Sequence, residues 1–80
     1  MNTNTYRVII EPDGKQFHAY APALPGCHTF GKTITLTKKH IREAIAGYLE
    51  CLIKEGELVP KDDGMETFES FKIDSKKVYA

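Results

Sequence analysis

The side chains in this sequence that could bind zinc or act as nucleophile and base are His18, Cys27, His28 and Cys51. Structural zinc sites mostly use ligand pairs separated by about two to four residues, whereas Cys27 and His28 are adjacent and would leave a strand on opposite faces. A cysteine nucleophile would also need an oxyanion hole or a helix N-terminus, and no such pattern accompanies Cys27. We therefore predict no metal site, no catalytic cysteine and no cofactor.

The carboxylates suggest a different chemistry, the metal-dependent cleavage of nucleic acid. A nuclease of this kind needs acidic side chains that converge from the centres of strands. Glu11 and Asp13 instead flank a predicted turn, and Asp62 and Asp63 lie in a predicted loop. We interpret all four as solvated turn residues. The basic cluster Lys38 to Arg42 is interpreted as a solvated helix face, and no helix-turn-helix pattern follows it, so we expect no direct DNA binding.

Length and charge limit the classes of protein to consider. A chain of 80 residues is expected to form one domain over 1–80, with residues 1–4 as a disordered tail. The formal net charge is zero, so no overall field attracts the protein to nucleic acid or an anionic membrane. The N-terminus lacks a secretory pattern, and no apolar run approaches the roughly 20 residues of a membrane span. We expect a cytoplasmic protein with reduced cysteines and no membrane partner.

Three short strands are predicted before the only long helical pattern. Tyr6 to Glu11 is rich in β-branched and aromatic residues, and the turn residues Pro12 to Gly14 follow it. Lys15 to Ala21 then alternates in polarity, which predicts a hairpin. Cys27 to Phe30 can form the third strand, which Gly31 would end. These segments predict a meander of antiparallel strands.

A turn rich in proline and glycine separates the second and third predicted strands. Pro22 and Pro25 remove backbone donors and fix φ, and Gly26 can adopt angles closed to other residues. A turn that is only a connection is usually polar, yet this one contains Leu24 and Cys27. We therefore predict a rigid turn that packs on the domain and contributes to a recognition surface.

A helix is predicted to begin between Thr33 and Thr37 and to end before Gly56. Apolar residues recur there at three- and four-residue steps, as on one side of an amphipathic helix. Residues 56–66 are interpreted as a surface connection, and Thr67 to Ile73 as a fourth strand. The predicted fold is α+β, with one helix on a small antiparallel sheet in the order βββαβ, and self-association through the last strand is expected.

Much of the chain resembles the HicB-like antitoxin family. The resemblance covers about Tyr6 to Pro60, and its most specific part is Leu24-Pro25-Gly26-Cys27 followed by Gly31 and Thr33. The other matching residues are Tyr6 to Gly14, Phe17, Glu43-Ala44-Ile45 and Tyr48-Leu49. The family fold is described as a partial relative of ribonuclease H. The chain looks like a short form without the DNA-binding domain that longer members append.

The resemblance implies a binding protein and not an enzyme. It implies an antitoxin of a type II toxin-antitoxin system that docks on a HicA-type ribonuclease toxin and blocks mRNA cleavage sterically. A homo-oligomer, either dimer or tetramer, is also expected. We expect partner contacts from Tyr6, Phe17, His18, Tyr20, Leu24, Pro25 and Phe30. Each of these residues could instead belong to the core. For Tyr6, Phe17 and Phe30, the core is the favoured interpretation.

Two other functions are compatible with the same residues. The chain could be a stand-alone oligomeric domain that serves an accessory or regulatory role without a toxin. It could also be a metal-dependent nuclease, whose RNA cleavage would then depend on Glu11 and Asp13. Co-purification with a small basic protein would separate the first function from antitoxin action, and RNA degradation by the pure chain would identify the second.

Overall fold

Three antiparallel strands and one helix make up the regular structure of the described residues. The computed structural model describes residues 3–74. Its strands are β1 (Ile9–Asp13), β2 (Gln16–Tyr20) and β3 (His28–Gly31), and its helix is α1 (Ile34–Lys54). The sheet has the order β1-β2-β3. The helix packs on one face of this sheet, which confirms the predicted α+β fold of one helical layer on one sheet layer.

The first hairpin forms as predicted, but β1 is shifted along the sequence. Its register runs from Ile9 opposite Tyr20 to Asp13 opposite Gln16, so the strand starts three residues after Tyr6 and continues past Glu11. Proline is tolerated in β1 because β1 is an edge strand, where a missing N–H removes no hydrogen bond from a central ladder. The residues before β1 bond instead to the C-terminal part of the chain.

Both ends of α1 lie where the sequence predicts them. Thr33 is the N-cap, and its hydroxyl oxygen accepts a hydrogen bond from the Leu36 backbone N–H at 3.0 Å. At the C-terminus, Gly56 has a φ of 70° and donates to the Ile53 carbonyl, while Glu57 donates to the Leu52 carbonyl. This pair of bonds is a Schellman motif, which satisfies carbonyls that the helix leaves without partners.

The core lies between the sheet and the N-terminal half of the helix. Its buried apolar residues are Ala19, Ala21, Leu24, Cys27 and Ile41. Thr37 is also buried, and its hydroxyl donates to the Thr33 carbonyl oxygen at 2.6 Å. A Cβ added to Gly31 would lie 2.5 Å from Thr37 Oγ1. The close approach of β3 to the first turn of α1 therefore requires glycine at this position.

The predicted fourth strand is not formed by the described chain. Residues 57–74 contain neither helix nor strand, and Phe68 and Phe71 are 92% and 81% exposed. Alternating side chains make a segment suitable for a strand, but a strand also needs a neighbouring backbone with which to exchange hydrogen bonds. Within residues 3–74, no backbone hydrogen bond joins the segment Thr67 to Ile73 to the sheet. The regular elements are therefore βββα in order.

A set of polar contacts fixes the chain after the helix to the residues before β1. Asp62 accepts hydrogen bonds from the backbone N–H of Arg7 at 2.8 Å, from Arg7 Nε at 3.1 Å and from the backbone N–H of Gly64 at 2.9 Å. The Tyr6 hydroxyl donates to the Pro60 carbonyl oxygen. We call these contacts the Arg7–Asp62 clasp. The Asp62 side chain is only 3% exposed, so its interpretation as a solvated turn residue is wrong.

The clasp predicts a dependence of stability on pH. The N–H donors of Arg7 and Gly64, together with the Arg7 charge, hold the pKa of Asp62 below its ordinary 3.8. A carboxylate with a lowered folded-state pKa stabilises the protein above its unfolded-state pKa, and this stabilisation is lost as the pH falls through the folded value. Asp62→Asn should therefore lower the melting temperature most near pH 7, and the difference from the unmodified chain should shrink toward pH 3.

The neighbouring acid provides the control for this measurement. Asp63 is exposed, so Asp63→Asn should leave the melting temperature close to that of the unmodified chain at every pH. Equal effects of Asp62→Asn and Asp63→Asn would show that the clasp contributes nothing specific to stability.

Candidate functional site

The sheet face opposite the helix is the most distinctive surface of the molecule. Side chains alternate between the faces of a strand, so the residues that flank the buried Ala19 in β2 point away from α1. The register sets His18 opposite Glu11 and Phe30, and Tyr20 opposite Ile9 and His28. These six residues form what we call the open face.

The aromatic and imidazole rings of the open face contact one another around His18. The His18 ring centroid lies 4.8 Å from that of Phe30, 5.3 Å from that of His28 and 5.7 Å from that of Tyr20. The His18 and Tyr20 rings are stacked, with an angle of 24° between their planes. Rings that support one another lose little conformational freedom when a partner docks on them. The rings of the open face are therefore already ordered before a partner docks on them.

Polar atoms cross the open face in a line over all three strands. His18 Nε2 lies 3.3 Å from His28 Nδ1, so one imidazole donates and the other accepts. On the other side, Glu11 Oε1 lies 3.8 Å from His18 Nδ1. This line orients the rings, and residues 3–74 contain no group of three or more His, Cys, Asp or Glu side chains that could hold a metal ion.

The turn between β2 and β3 extends the open face at one end. Ala21 donates to the Cys27 carbonyl oxygen at 3.1 Å, and inside this pair Leu24 donates to Ala21 while Cys27 donates to Leu24. The second of these turns has Pro25 at its first central position and Gly26, with a φ of 80°, at its second. This sequence and this φ are typical of a type II turn. Leu24 is 1% exposed and holds the turn against the core.

A shallow groove of about 560 Å³ lies between this turn and the rings of the open face. Its lining residues are His18, Tyr20, Ala21, Pro22, Leu24, Pro25, Gly26, Cys27 and His28. The groove is mostly apolar, with the two imidazoles as its polar groups. It suits an apolar or aromatic side chain of a protein partner better than a charged small molecule.

The structure brings together most, but not all, of the predicted contact residues. His18, Tyr20 and Pro25 line the groove, and Phe30 contacts His18 beside it. Leu24 also borders the groove, but as a buried support. Tyr6 lies elsewhere, where its ring packs against the core and its hydroxyl bonds Pro60. Phe17 lies two residues before the buried Ala19 in β2, so its side chain is on the face of the sheet that α1 covers. This is the face on which a core residue must lie.

Sequence reasoning missed His28 and Glu11 as members of this surface. From the sequence, His28 is a candidate metal ligand or base, and Glu11 is the last residue of the predicted first strand, beside a turn. His28 shares the parity of Phe30 in the predicted third strand, which places these two on one face, and the register of β2 and β3 makes it the face that carries His18. Glu11 lies at the end of the predicted first strand, and its place beside His18 depends on the register of β1 and β2.

The two cysteines are free, with Cys27 buried in the core and Cys51 exposed on α1. Burial in the core raises the pKa of the Cys27 thiol. The Glu55 carboxylate is the main cause that raises the pKa of Cys51, an exposed helix residue. A raised pKa favours the thiol over the reactive thiolate.

The turn geometry makes Gly26 sensitive to substitution. A non-glycine residue with a left-handed φ costs about 1–3 kcal/mol, and a β-branched one is the least tolerant. No atom lies within 4 Å of a Cβ added at Gly26, so the effect is one of backbone strain alone. Gly26→Val should lower the unfolding free energy by about 1–3 kcal/mol in urea denaturation.

Asparagine provides the matched control at the same position. Because asparagine tolerates the left-handed region better than valine does, Gly26→Asn should destabilise the protein clearly less than Gly26→Val. Equal destabilisation by the two variants would contradict the account of this turn.

Comparison with known proteins relates this fold to one family. The family described as HicB_like antitoxin of bacterial toxin-antitoxin system matches residues 6–76. A UPF0150 protein of Thermoplasma acidophilum is 44% identical over 62 residues, which are 76% of this chain and 90% of that protein. A UPF0150 protein of Synechocystis is 45% identical over 60 residues, which are 72% of this chain and 75% of that protein.

A solved structure shows the same fold. The crystal structure of the N-terminal domain of the Burkholderia pseudomallei antitoxin HicB superimposes with a TM-score of 0.59 at 40% sequence identity. The match covers 65% of this chain and 62% of that one. In the described part of the present structure, no helix is long and apolar enough to cross a membrane.

Proposed function

Because the chain belongs to the HicB-like antitoxin family, we propose that it binds a HicA-type, mRNA-cleaving toxin and blocks it sterically. The match of the family over residues 6–76 carries this proposal. The likeness to the N-terminal domain of an antitoxin HicB supports it. The chain acts in the cytoplasm, without turnover and without direct contact to DNA.

The open face is the docking surface in this proposal. Two residues on it, Tyr20 and Phe30, belong to aromatic types that are enriched where interfaces hold most of their binding energy. Their ring contacts with His18 set their orientation before a partner arrives. The turn from Pro22 to Gly26 forms a stiff border, so a toxin surface that fits the groove is held at a fixed angle. In this proposal the covered part of the toxin includes its active site, so that an RNA strand is excluded from it.

The polar line across the open face gives this contact its selectivity. Glu11 supplies a negative charge at one end, and the imidazoles of His18 and His28 supply donors and acceptors along it. A toxin that binds messenger RNA carries basic residues around its active site. Glu11 can pair with one of them while the rings cover the apolar part of the contact.

Co-expression tests the proposal in cells. The small reading frame beside the gene for this chain should arrest growth when it is expressed alone, and expression of this chain should relieve the arrest. The double variant Tyr20→Ala with Phe30→Ala should lose this relief, because two aromatic anchors together contribute about tenfold or more in affinity.

A matched double variant distinguishes a lost contact from a lost fold. Leu36 and Ile53 are exposed apolar residues of α1, and Leu36→Ala with Ile53→Ala should preserve the relief of growth arrest. Both double variants should keep the circular dichroism spectrum of the unmodified chain. If the open-face variant still relieves the arrest fully, the toxin docks elsewhere.

A second function is favoured by the exposed apolar residues that follow the helix. Phe68 and Phe71 are 92% and 81% exposed, and exposed aromatic residues of this kind often mark an interface, so a homo-oligomer, dimer or tetramer, is part of our proposal in either case. A stand-alone oligomer without a toxin would account for this feature alone. Affinity purification at native expression separates the two functions: the antitoxin retains a small basic protein, whereas the stand-alone domain retains only copies of itself.

A further inference from the structure

Two histidines of the open face direct ring nitrogens toward each other. His18 Nε2 and His28 Nδ1 lie 3.3 Å apart, although the residues are separated by 10 positions in the sequence. Spacing along the chain predicts no metal site, but the register of β2 and β3 brings the two rings together from neighbouring strands. Neutral imidazole is the side chain that most often binds divalent transition-metal ions. The pair therefore has the right chemistry for an ion between the rings.

The separation of the two rings fits a shared metal ion. Zinc binds imidazole nitrogen at about 2.0–2.1 Å with tetrahedral geometry, so two such ligands of one ion lie about 3.3–3.4 Å apart. By the same geometry, two rings that direct their nitrogens at one ion have centroids about 5.2 Å apart. The centroids of His18 and His28 are 5.3 Å apart. An ion can take the place of the hydrogen bond between the rings with little movement of either side chain.

The other ring nitrogen of His18 faces a carboxylate. Glu11 Oε1 lies 3.8 Å from His18 Nδ1, and an adjustment of about 1 Å brings the two atoms into hydrogen-bond range. Histidines that bind a metal generally donate their second N–H to a carboxylate or a carbonyl, which fixes the tautomer and strengthens the ligand. Glu11 is placed to hold the His18 proton on Nδ1, which leaves the lone pair on Nε2, the atom next to His28.

The pair of rings is accessible from the open face. The His18 side chain is 26% exposed and His28 is exposed, so an ion can approach without any opening of the fold. Because the described chain offers no group of three ligands, water completes the coordination in the free protein. Imidazole ligands suit Zn²⁺, Ni²⁺ and Cu²⁺, whereas Mg²⁺ and Ca²⁺ need oxygen ligands.

We propose that His18 and His28 bind one divalent transition-metal ion on the open face, with Glu11 as the positioning residue behind His18. Both ligating nitrogens must carry a lone pair, so the imidazole that donates in the free chain moves its proton to its other ring nitrogen. With the His18 proton held on Nδ1, this imidazole is His28, whose proton moves from Nδ1 to Nε2. This inference does not depend on the proposed toxin.

Zinc titration of the untagged chain against the dye zincon tests the site, in a Cys51→Ser background that removes the exposed thiol. The chain should bind one equivalent of zinc. His18→Gln and His28→Gln should each weaken binding by about tenfold or more. His40 lies on α1, where its Nδ1 bonds the Phe30 carbonyl oxygen, and the control His40→Gln should leave the affinity unchanged.

The carboxylate is tested in the same titration. Glu11→Gln should weaken zinc binding by about tenfold, the lower end for loss of a group that orients a metal ligand. Asp13→Asn removes the same charge from the other end of β1 and should leave the affinity unchanged. Equal effects of Glu11→Gln and Asp13→Asn would contradict the positioning role of Glu11.

Long-range ¹H–¹⁵N spectra of the histidine rings identify the bound atoms. With zinc, His18 should carry its proton on Nδ1 and His28 on Nε2, and the signals of His40 should not move. No zinc binding at millimolar concentration would overturn the proposal. Zinc bound equally by His18→Gln and His40→Gln, or bound with no change in the His18 and His28 signals, would show an ion held elsewhere and would also overturn it.

Discussion

Leu24→Ala should lower the unfolding free energy by about 2–5 kcal/mol, the range for a fully buried leucine whose removal leaves a cavity. Leu24 is 1% exposed and packs with Ala21, Cys27 and Ile41 in the core. The loss of unfolding free energy is expected at the high end of this range, because the surrounding turn is held by its own hydrogen bonds and cannot collapse into the cavity. In a domain of this size, each kcal/mol corresponds to about 4–8 °C in melting temperature.

An exposed leucine is the control for this substitution. Leu58 is 94% exposed, so Leu58→Ala removes the same atoms and should change the unfolding free energy by less than about 0.5 kcal/mol. Similar melting temperatures for Leu24→Ala and Leu58→Ala would contradict the view that the turn is fixed to the core by this side chain.

Gly31→Ala should destabilise the protein by about 1–3 kcal/mol through overpacking. The added Cβ would lie 2.5 Å from Thr37 Oγ1, 2.8 Å from the Thr37 backbone nitrogen and 2.9 Å from its Cα. The last two atoms belong to the backbone, so β3 and the first turn of α1 must move apart. Gly47→Ala is the matched control because no atom lies within 4 Å of its added Cβ, and it should stabilise the helix by up to about 1 kcal/mol.

A double variant separates the two parts of this clash. Thr37→Ala removes Oγ1 but leaves the backbone atoms, so Gly31→Ala with Thr37→Ala should recover only part of the loss caused by Gly31→Ala, measured against Thr37→Ala alone. Full recovery would mean that the hydroxyl alone sets the spacing between β3 and α1. A Gly31→Ala protein as stable as Gly47→Ala would contradict the close packing at this point.

Local patterns in the sequence were sufficient for the helix and for the turn after β2. Thr33, the periodic apolar residues and Gly56 set the limits of α1 through capping interactions that span only a few residues. Proline and glycine determine the turn from Pro22 to Gly26 in the same local way. Such signals are readable because the atoms that interact are close in the sequence.

Contacts between distant residues account for what sequence reasoning missed. Arg7 and Asp62 are 55 positions apart, and no local pattern indicates that this aspartate is buried in a clasp. The alternation of Thr67 to Ile73 favours a strand, but within residues 3–74 no neighbouring backbone exchanges hydrogen bonds with this segment, and the prediction of a fourth strand was wrong for the described chain. The contact of His18 with His28 likewise depends on the register of β2 and β3.

Cleavage of messenger RNA by the purified HicA-type toxin, titrated with this chain, tests the central claim most directly. The account predicts that cleavage decreases in proportion to the chain added and stops at a fixed molar ratio. It also predicts that the chain alone leaves the RNA intact. Cleavage that persists in a large excess of the chain, or RNA degradation by the chain itself, would contradict it.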